Sequence, residues 1–156
     1  IKTGMASFRG VDRRFDFKIK TDKVVYLSDY AHHPEEIKQS ILSMRALYGD
    51  KKLTGIFQPH LYTRTRDFYQ EFAESLSLLD EVILTDIYPA RELPIEGVSS
   101  QLIYDNLRPD IDKTLCKKEE VIDILKEKEI EVLMTLGAGD IENYAPQICE
   151  ILNERC

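Results

Sequence analysis

Tryptophan is absent from these 156 residues, and histidine, cysteine and methionine occur only three times each. No apolar run approaches the roughly 20 residues of a membrane span, and no signal or transit peptide pattern is visible, so no membrane partner is expected. The net charge is −7, from 21 basic and 28 acidic residues. That balance lacks the basic excess behind bulk nucleic-acid binding, so no nucleic-acid partner is expected either. Cys116, Cys149 and Cys156 are scattered, in no metal-ligand spacing, which suits a reducing cytoplasm. There is no internal repeat and no low-complexity stretch. Most telling, the chain has no G-x-x-x-x-G-K-[ST] phosphate loop, no G-x-S-x-G elbow and no cysteine–histidine pair in a nucleophile context. A nucleotide bound here is therefore expected to be held from one side only. The first residue is Ile1 rather than Met, so a longer protein is expected.

What is present fits one α/β domain. Residues 1–14, with Gly4, Gly10 and three arginines and no clear period, are expected to be a linker or hinge; residues 15–156 form the domain. Phe15, Phe17 and Ile19 alternate with Asp16 and Lys18, and Val24–Leu27 returns beside them after a turn at Thr21-Asp22. A helix is predicted from Pro34, burying Ile37, Ile41, Met44 and Tyr48, with Glu35 and Glu36 at its positive end and Gly49 as its C-terminal cap. Leu53–Phe57, Glu81–Thr85 and Val132–Leu136 read as buried strands, with a brief strand near Thr114–Cys116. Between them lie a helix with Phe68, Phe72, Leu76 and Leu79 on one face, a polar loop Asp86–Ser99, and helices over Ser100–Leu107 and Lys118–Lys128. A terminal helix becomes regular around Asn143. This alternation predicts a mostly parallel sheet with helices on both faces and one antiparallel strand from the leading hairpin.

Ser28-Asp-Tyr-Ala-His-His-Pro-Glu-Glu36 sits between a strand end and a helix start, where ligands bind and helix N–H groups attract anions. In a parallel sheet His32, His60, Asp86 and Gly137 would all follow strand C-termini and converge on one crevice. Asp29 could accept both hydroxyls of a ribose, while an imidazole can stack on a base or donate to a phosphoryl oxygen. The plainer alternative is a capping aspartate with surface histidines. A metal site from Asp29, His32, His33 and His60 is a further reading, although no glutamate or cysteine completes the ligand set. Arg64 and Arg66, next to a helix start, suit bidentate binding of carboxylate or phosphate, or else form a solvated turn paired with Asp67 and Glu71. Gly137-Ala-Gly139-Asp140 is better explained by tight packing.

Gly10-Val-Asp-Arg-Arg-Phe15, Asp29-Tyr-Ala-His-His-Pro34, Phe57-Gln-Pro-His-Leu-Tyr-Thr-Arg-Thr-Arg-Asp67, Asp86-Ile-Tyr-Pro-Ala90, Pro94-Ile-Glu-Gly-Val98 and Gly137-Ala-Gly-Asp140 together resemble the C-terminal domain of bacterial Mur ligases. The branch that adds L-alanine to UDP-N-acetylmuramate carries the nearest pattern. The resemblance implies the third, Rossmann-like domain of a cytoplasmic three-domain enzyme of peptidoglycan synthesis, the upstream domains binding the UDP sugar and carrying the phosphate loop. It implies ATP and Mg²⁺, the metal held mainly by the central domain, and amide formation through an acyl phosphate. By the same resemblance Asp29 would hold the ribose, His32 would face the phosphates and the reacting carboxylate, and Tyr30 and His33 would line that pocket. Arg14 would reach the nucleotide phosphates. His60, Tyr62, Arg64 and Arg66 would form the amino-acid side, with Arg64 on the L-alanine carboxylate. Two positions depart from the pattern: Leu61 replaces an arginine and Arg91 a glycine. Two other readings of the residues are a non-catalytic module for an anionic metabolite and a metal-dependent hydrolase.

Overall fold

In a computed structural model, residues 15–154 are described. The expected hinge, with Arg14, lies outside them. In chain order the elements are β1 (Asp16–Lys20), β2 (Val25–Asp29), α1 (Pro34–Leu47), β3 (Leu53–Phe57), α2 (Tyr62–Leu76), β4 (Glu81–Leu84) and α3 (Gln101–Asn106). Then follow β5 (Asp112–Leu115), a 3-10 turn Lys118–Glu120, α4 (Val121–Lys126), β6 (Val132–Leu136), a 3-10 turn Asp140–Tyr144 and α5 (Ala145–Asn153). The six strands form one sheet ordered β1-β2-β6-β3-β4-β5. Only β1–β2 is antiparallel; β2–β6, β6–β3, β3–β4 and β4–β5 are all parallel. This is the mixed α/β sheet expected, hairpin strand included.

The strands β2, β3, β4 and β6 are buried along their whole length because helices cover both faces. Alternate residues feed two cores. Val25, Leu27, Leu53, Phe57, Val82, Leu84 and Met134 pack with Ile37, Ile41, Met44, Phe72, Leu76 and Ile103 of α1 to α3. Tyr26, Ile56, Ile83 and Leu133 face the other way, onto Val121, Leu125, Ile148 and Leu152 of α4 and α5. Gly55 lies in the first register because a Cβ there would come 2.4 Å from Leu79 Cδ1.

Three local expectations shift. Helix α1 ends one residue early, with Tyr48 as its C-cap at φ −134°, so Gly49 supplies no left-handed turn. Its value is closeness instead: a Cβ at Gly49 would sit 3.0 Å from the Arg45 carbonyl. Helix α2 begins at Tyr62, so the arginine-rich motif lies on its first turns, and Phe68, expected inward, sits at a kink (φ −129°, ψ 16°) with its ring exposed. The regular part of the last helix starts at Ala145, two residues later than expected, because Pro146 lacks an N–H and fits the first turn.

Candidate functional site at the C-terminal edge of the sheet

Strand phase decides where Asp29 points. It shares a face with Val25 and Leu27, so its carboxylate turns under α1 and is only 6% exposed. Oδ1 accepts the Ala31 N–H at 3.1 Å and Oδ2 accepts the Ser40 hydroxyl of α1. A carboxylate has about four acceptor positions, so capacity remains for a ligand hydroxyl. Beside it opens a hollow of ≈ 400 Å³ lined by Phe15, Asp29, Ala31, Gln39, Ser40 and Ser43 among others. Ser40 was not foreseen; its sole sequence signal is a small polar residue among the apolar positions of α1.

Glu36 folds back over the start of α1, and its Oε1 accepts the N–H of His32 (3.1 Å) and of His33 (3.2 Å). What projects from this turn is imidazole. The His32 ring lies 5.5 Å from Tyr30, 5.1 Å from His33 and 6.0 Å from His60, centroid to centroid. All three histidines of the chain therefore gather across the ends of β2 and β3.

Their tautomers follow from their partners. His32 Nδ1 lies 3.1 Å from the Tyr30 carbonyl, which can only accept, so Nδ1 carries the proton and the neutral ring keeps a lone pair on Nε2. His60 is the reverse. Its Nδ1 lies 3.0 Å from Arg64 Nη1, and a guanidinium can only donate, so the His60 proton sits on Nε2. Burial, then the nearby Arg64 guanidinium and His32, hold the His60 pKa below the ordinary imidazole range. The same causes, in the same order, lower that of His33. The edge thus offers one imidazole lone pair, one imidazole N–H and one guanidinium.

The loop after β4 clasps the loop after β3. Residues His60 and Tyr88 form a parallel bridge, the Tyr88 N–H donates to the Pro59 carbonyl (2.8 Å), and the Leu61 N–H donates to the Tyr88 carbonyl (2.9 Å). The Tyr88 ring stacks on His60 at 5.7 Å and 16°. Leu61, where the resemblance expects arginine, has φ +76° and caps α2 without a side-chain bond. The helix terminus is satisfied from the other loop. Glu92 Oε1 accepts the N–H groups of Tyr62 (2.6 Å) and Thr63 (3.1 Å), and Oε2 accepts the Thr63 hydroxyl (2.5 Å). The Thr63 hydroxyl bond leads the interactions that keep the Glu92 carboxyl below the usual carboxylate range. Neither Tyr88 nor Glu92 was singled out in the sequence, although the missing cap was a signal: Leu61 cannot satisfy the first-turn N–H groups.

Arg66 is exposed and turned to Asp67 (Nε–Oδ1 2.9 Å). Tyr62 lines a different hollow, of ≈ 480 Å³, with Asp86, Pro94, Val98, Leu115 and Cys116. Among the described residues no group of three histidine, cysteine, aspartate or glutamate side chains could hold a metal ion, Asp29 being turned away beneath α1.

Gly137-Ala-Gly139-Asp140 closes the edge by packing. Gln58, 1% exposed, donates to Asp140 Oδ1 (2.7 Å) and accepts the Ile141 N–H (2.9 Å). A Cβ at Gly139 would lie 2.3 Å from Gln58 Oε1, and Gly137 has φ +141° against the Gln58 carbonyl.

Known proteins resemble this chain in sequence and fold. The profile of the Mur ligase, glutamate ligase domain matches residues 13–141. The UDP-N-acetylmuramate–L-alanine ligase of Phocaeicola vulgatus is 79% identical over 155 residues, 99% of this chain and 34% of that protein. The ligase of the same name from Porphyromonas gingivalis is 51% identical, over 100% of this chain and 34% of its own length. The chain spans about a third of the curated relatives it matches. Among solved structures, a UDP-N-acetylmuramate-alanine ligase of Thermotoga maritima superposes with a TM-score of 0.74 at 27% identity, over 96% of this chain and 32% of that one. A murein peptide ligase of Psychrobacter arcticus, at TM-score 0.73 and 17% identity over 96% of this chain and 32% of its own, shares the fold. Sequence and fold agree, and the chain belongs to the Mur ligase, glutamate ligase domain family.

Proposed function

We propose that residues 15–156 form the third domain of a cytoplasmic ligase that joins L-alanine to UDP-N-acetylmuramate, one face of an ATP site completed by domains upstream of a hinge at residues 1–14. The observation that carries the reading is the meeting of His32, His60 and Arg64 across two strand ends, with Arg64 Nη1 3.0 Å from His60 Nδ1 and the two rings 6.0 Å apart. ATP with Mg²⁺, the metal held mainly by the central domain, supplies the phosphoryl group that activates the muramyl carboxylate.

Each residue has a task that its surroundings allow. Asp29, with acceptor capacity left, takes the ribose hydroxyls in the hollow beside Ser40, and Tyr30 and His33 wall that side; Arg14 reaches the phosphates. Arg64 binds the L-alanine carboxylate, and its bond to His60 fixes both side chains in one orientation. His60 Nε2–H then faces negative oxygen, which a cation at that position would bind without directing. The amine must shed a proton as its bond to carbon forms, and the Nε2 lone pair of His32 accepts it. Tyr62 and Arg66 stand at the margin of the amino-acid side. The clasped loops exclude water from the reacting carbonyl.

The test is coupling of L-alanine to UDP-N-acetylmuramate by the full-length protein, with Arg64→Ala beside it. Loss of a charged, hydrogen-bonded partner predicts a roughly 30- to 1,000-fold fall in kcat/KM for L-alanine. A full-length protein that couples no L-alanine, or an Arg64→Ala variant that couples it as well as wild type, overturns the reading.

A further inference from the structure

A helix start flanked by two arginines is the place where a second substrate carboxylate would be drawn. Helix α2 runs for 15 residues, so its dipole reinforces the attraction, and Arg64 and Arg66 lie in its first turns. In this chain an anion of its own occupies that place. Glu92 takes the Tyr62 N–H, the Thr63 N–H and the Thr63 hydroxyl, leaving the first turn with those donors spent. Its charge reaches the site, because Glu92 acts electrostatically on both His60 and Arg66. It is also held firmly, since its loop is clasped through Pro59, Leu61 and Tyr88.

Arg66 is turned to Asp67, so a ligand entering beside Arg64 meets that one guanidinium for its carboxylate, and then a fixed negative charge. An α-carboxylate satisfied by Arg64 gains nothing from a second carboxylate on the side chain, which would be repelled by Glu92, anchored on the two residues that precede Arg64. We infer that Glu92 is a charge filter that turns away amino acids whose side chains carry a negative charge. The inference rests on the reading that Arg64 binds the amino-acid carboxylate, and it deepens that reading by defining the substrate class. Leu61 contributes to the same end, because the position that hands its N–H to Tyr88 brings no further cation to offset Glu92.

Asparagine and aspartate differ in charge at nearly constant shape, so they separate charge from size. With the full-length enzyme, kcat/KM or the competition constant against L-alanine is measured for each, in wild type, Glu92→Gln and Glu92→Asp. One repelled unit charge in a solvent-accessible site predicts an asparagine preference of about tenfold in wild type. Glu92→Gln brings the two amino acids to near parity, and Glu92→Asp retains the preference. Because Glu92 is partly exposed, raising the salt from about 0.05 to 0.5 M also narrows the wild-type preference, a readout that stands even if Glu92→Gln does not fold. Asparagine excluded as fully as aspartate would mean that size does the filtering, and that result overturns the inference. So does an asparagine-to-aspartate ratio unmoved by Glu92→Gln or by salt. Failure of wild type to couple L-alanine strikes the underlying reading instead, so the two failures are distinct.

Discussion

Replacing Gly139 by alanine tests the packing that holds the site's two loops together. The added methyl would lie 2.3 Å from Gln58 Oε1, 2.7 Å from Tyr88 Cγ and 2.8 Å from Tyr88 Cβ. Neither neighbour is a loose chain end. Tyr88 is tied by backbone bonds to Pro59 and Leu61, and Gln58 is bonded at both ends of its carboxamide. Overpacking of this kind costs about 1–3 kcal/mol. If Gln58 yields, a buried polar group loses a partner for about 1–3 kcal/mol more. The expected loss is therefore about 2–5 kcal/mol, which for a domain of this size lowers Tm by roughly 5–20 °C. Thermal and urea unfolding followed by circular dichroism measures it. Gly97→Ala is the control: nothing lies within 4 Å of its Cβ, but φ is +81°, so only backbone strain of about 1–2 kcal/mol is expected. Because Tyr88 stacks on His60, Gly139→Ala should also shift the His60 ring resonances while Gly97→Ala leaves them in place. A loss below about 1 kcal/mol, or one no larger than that of Gly97→Ala, refutes the packing argument.

Two further outcomes concern protonation. Long-range proton–nitrogen correlation spectra at pH 7 should show His60 neutral with its proton on Nε2, as its bond from Arg64 demands; a proton on Nδ1 contradicts the site geometry. His33 and His60 have lowered pKa values in the fold, so the unfolded chain binds protons first on acidification. Stability should therefore be full above the ordinary histidine pKa of about 6.5 and decline as pH falls below it, and a flat profile from pH 7 to 5.5 would refute this. Glu81, 2% exposed, lies between Lys52 (3.1 Å) and Lys128 (2.5 Å). Burial disfavours its charge, but bonds and charges from Lys128 and Lys52 outweigh that and keep its carboxyl below the usual range. Glu81→Gln should cost about 1–3 kcal/mol at pH 7. Its depressed pKa means the wild-type advantage is present above the usual carboxylate pKa of about 4.3 and fades as pH falls through the lower folded value. A gap that stays constant to pH 2 would count against the ion-pair account.

The strands were legible because they are buried on both faces: Leu53–Phe57 and Val132–Leu136 are apolar runs that no surface segment of this length would carry. Their parallel order then brings His32 and His60 together whatever the helices do. The direction of Asp29 was also within reach, since counting by two from Val25 places it under α1. Other features depend on partners far away in the chain. Glu92 reaches residues 62 and 63 across about thirty positions, and no local pattern marks a glutamate in a polar loop as a helix cap. Phe68 fits a helical stripe until the kink in α2 turns its ring outward, so periodicity alone misplaced it. Gly49 invited a left-handed cap, but a close backbone contact explains a glycine equally well.

Strand β6 lies between β2 and β3 although it comes last of the three by some 75 residues. During synthesis, β2 and β3 emerge early and have no direct pairing with each other to make. Each must wait with an open edge until residues 132–136 arrive to bridge them. Such long-range closure is slow, and open edges of this kind are where unfinished chains associate wrongly. The histidine cluster spans that same seam, with His32 on one bank and His60 on the other. Assembly of the candidate site is therefore a late event: a chain halted before β6 holds all three histidines but lacks the strand that joins their two banks.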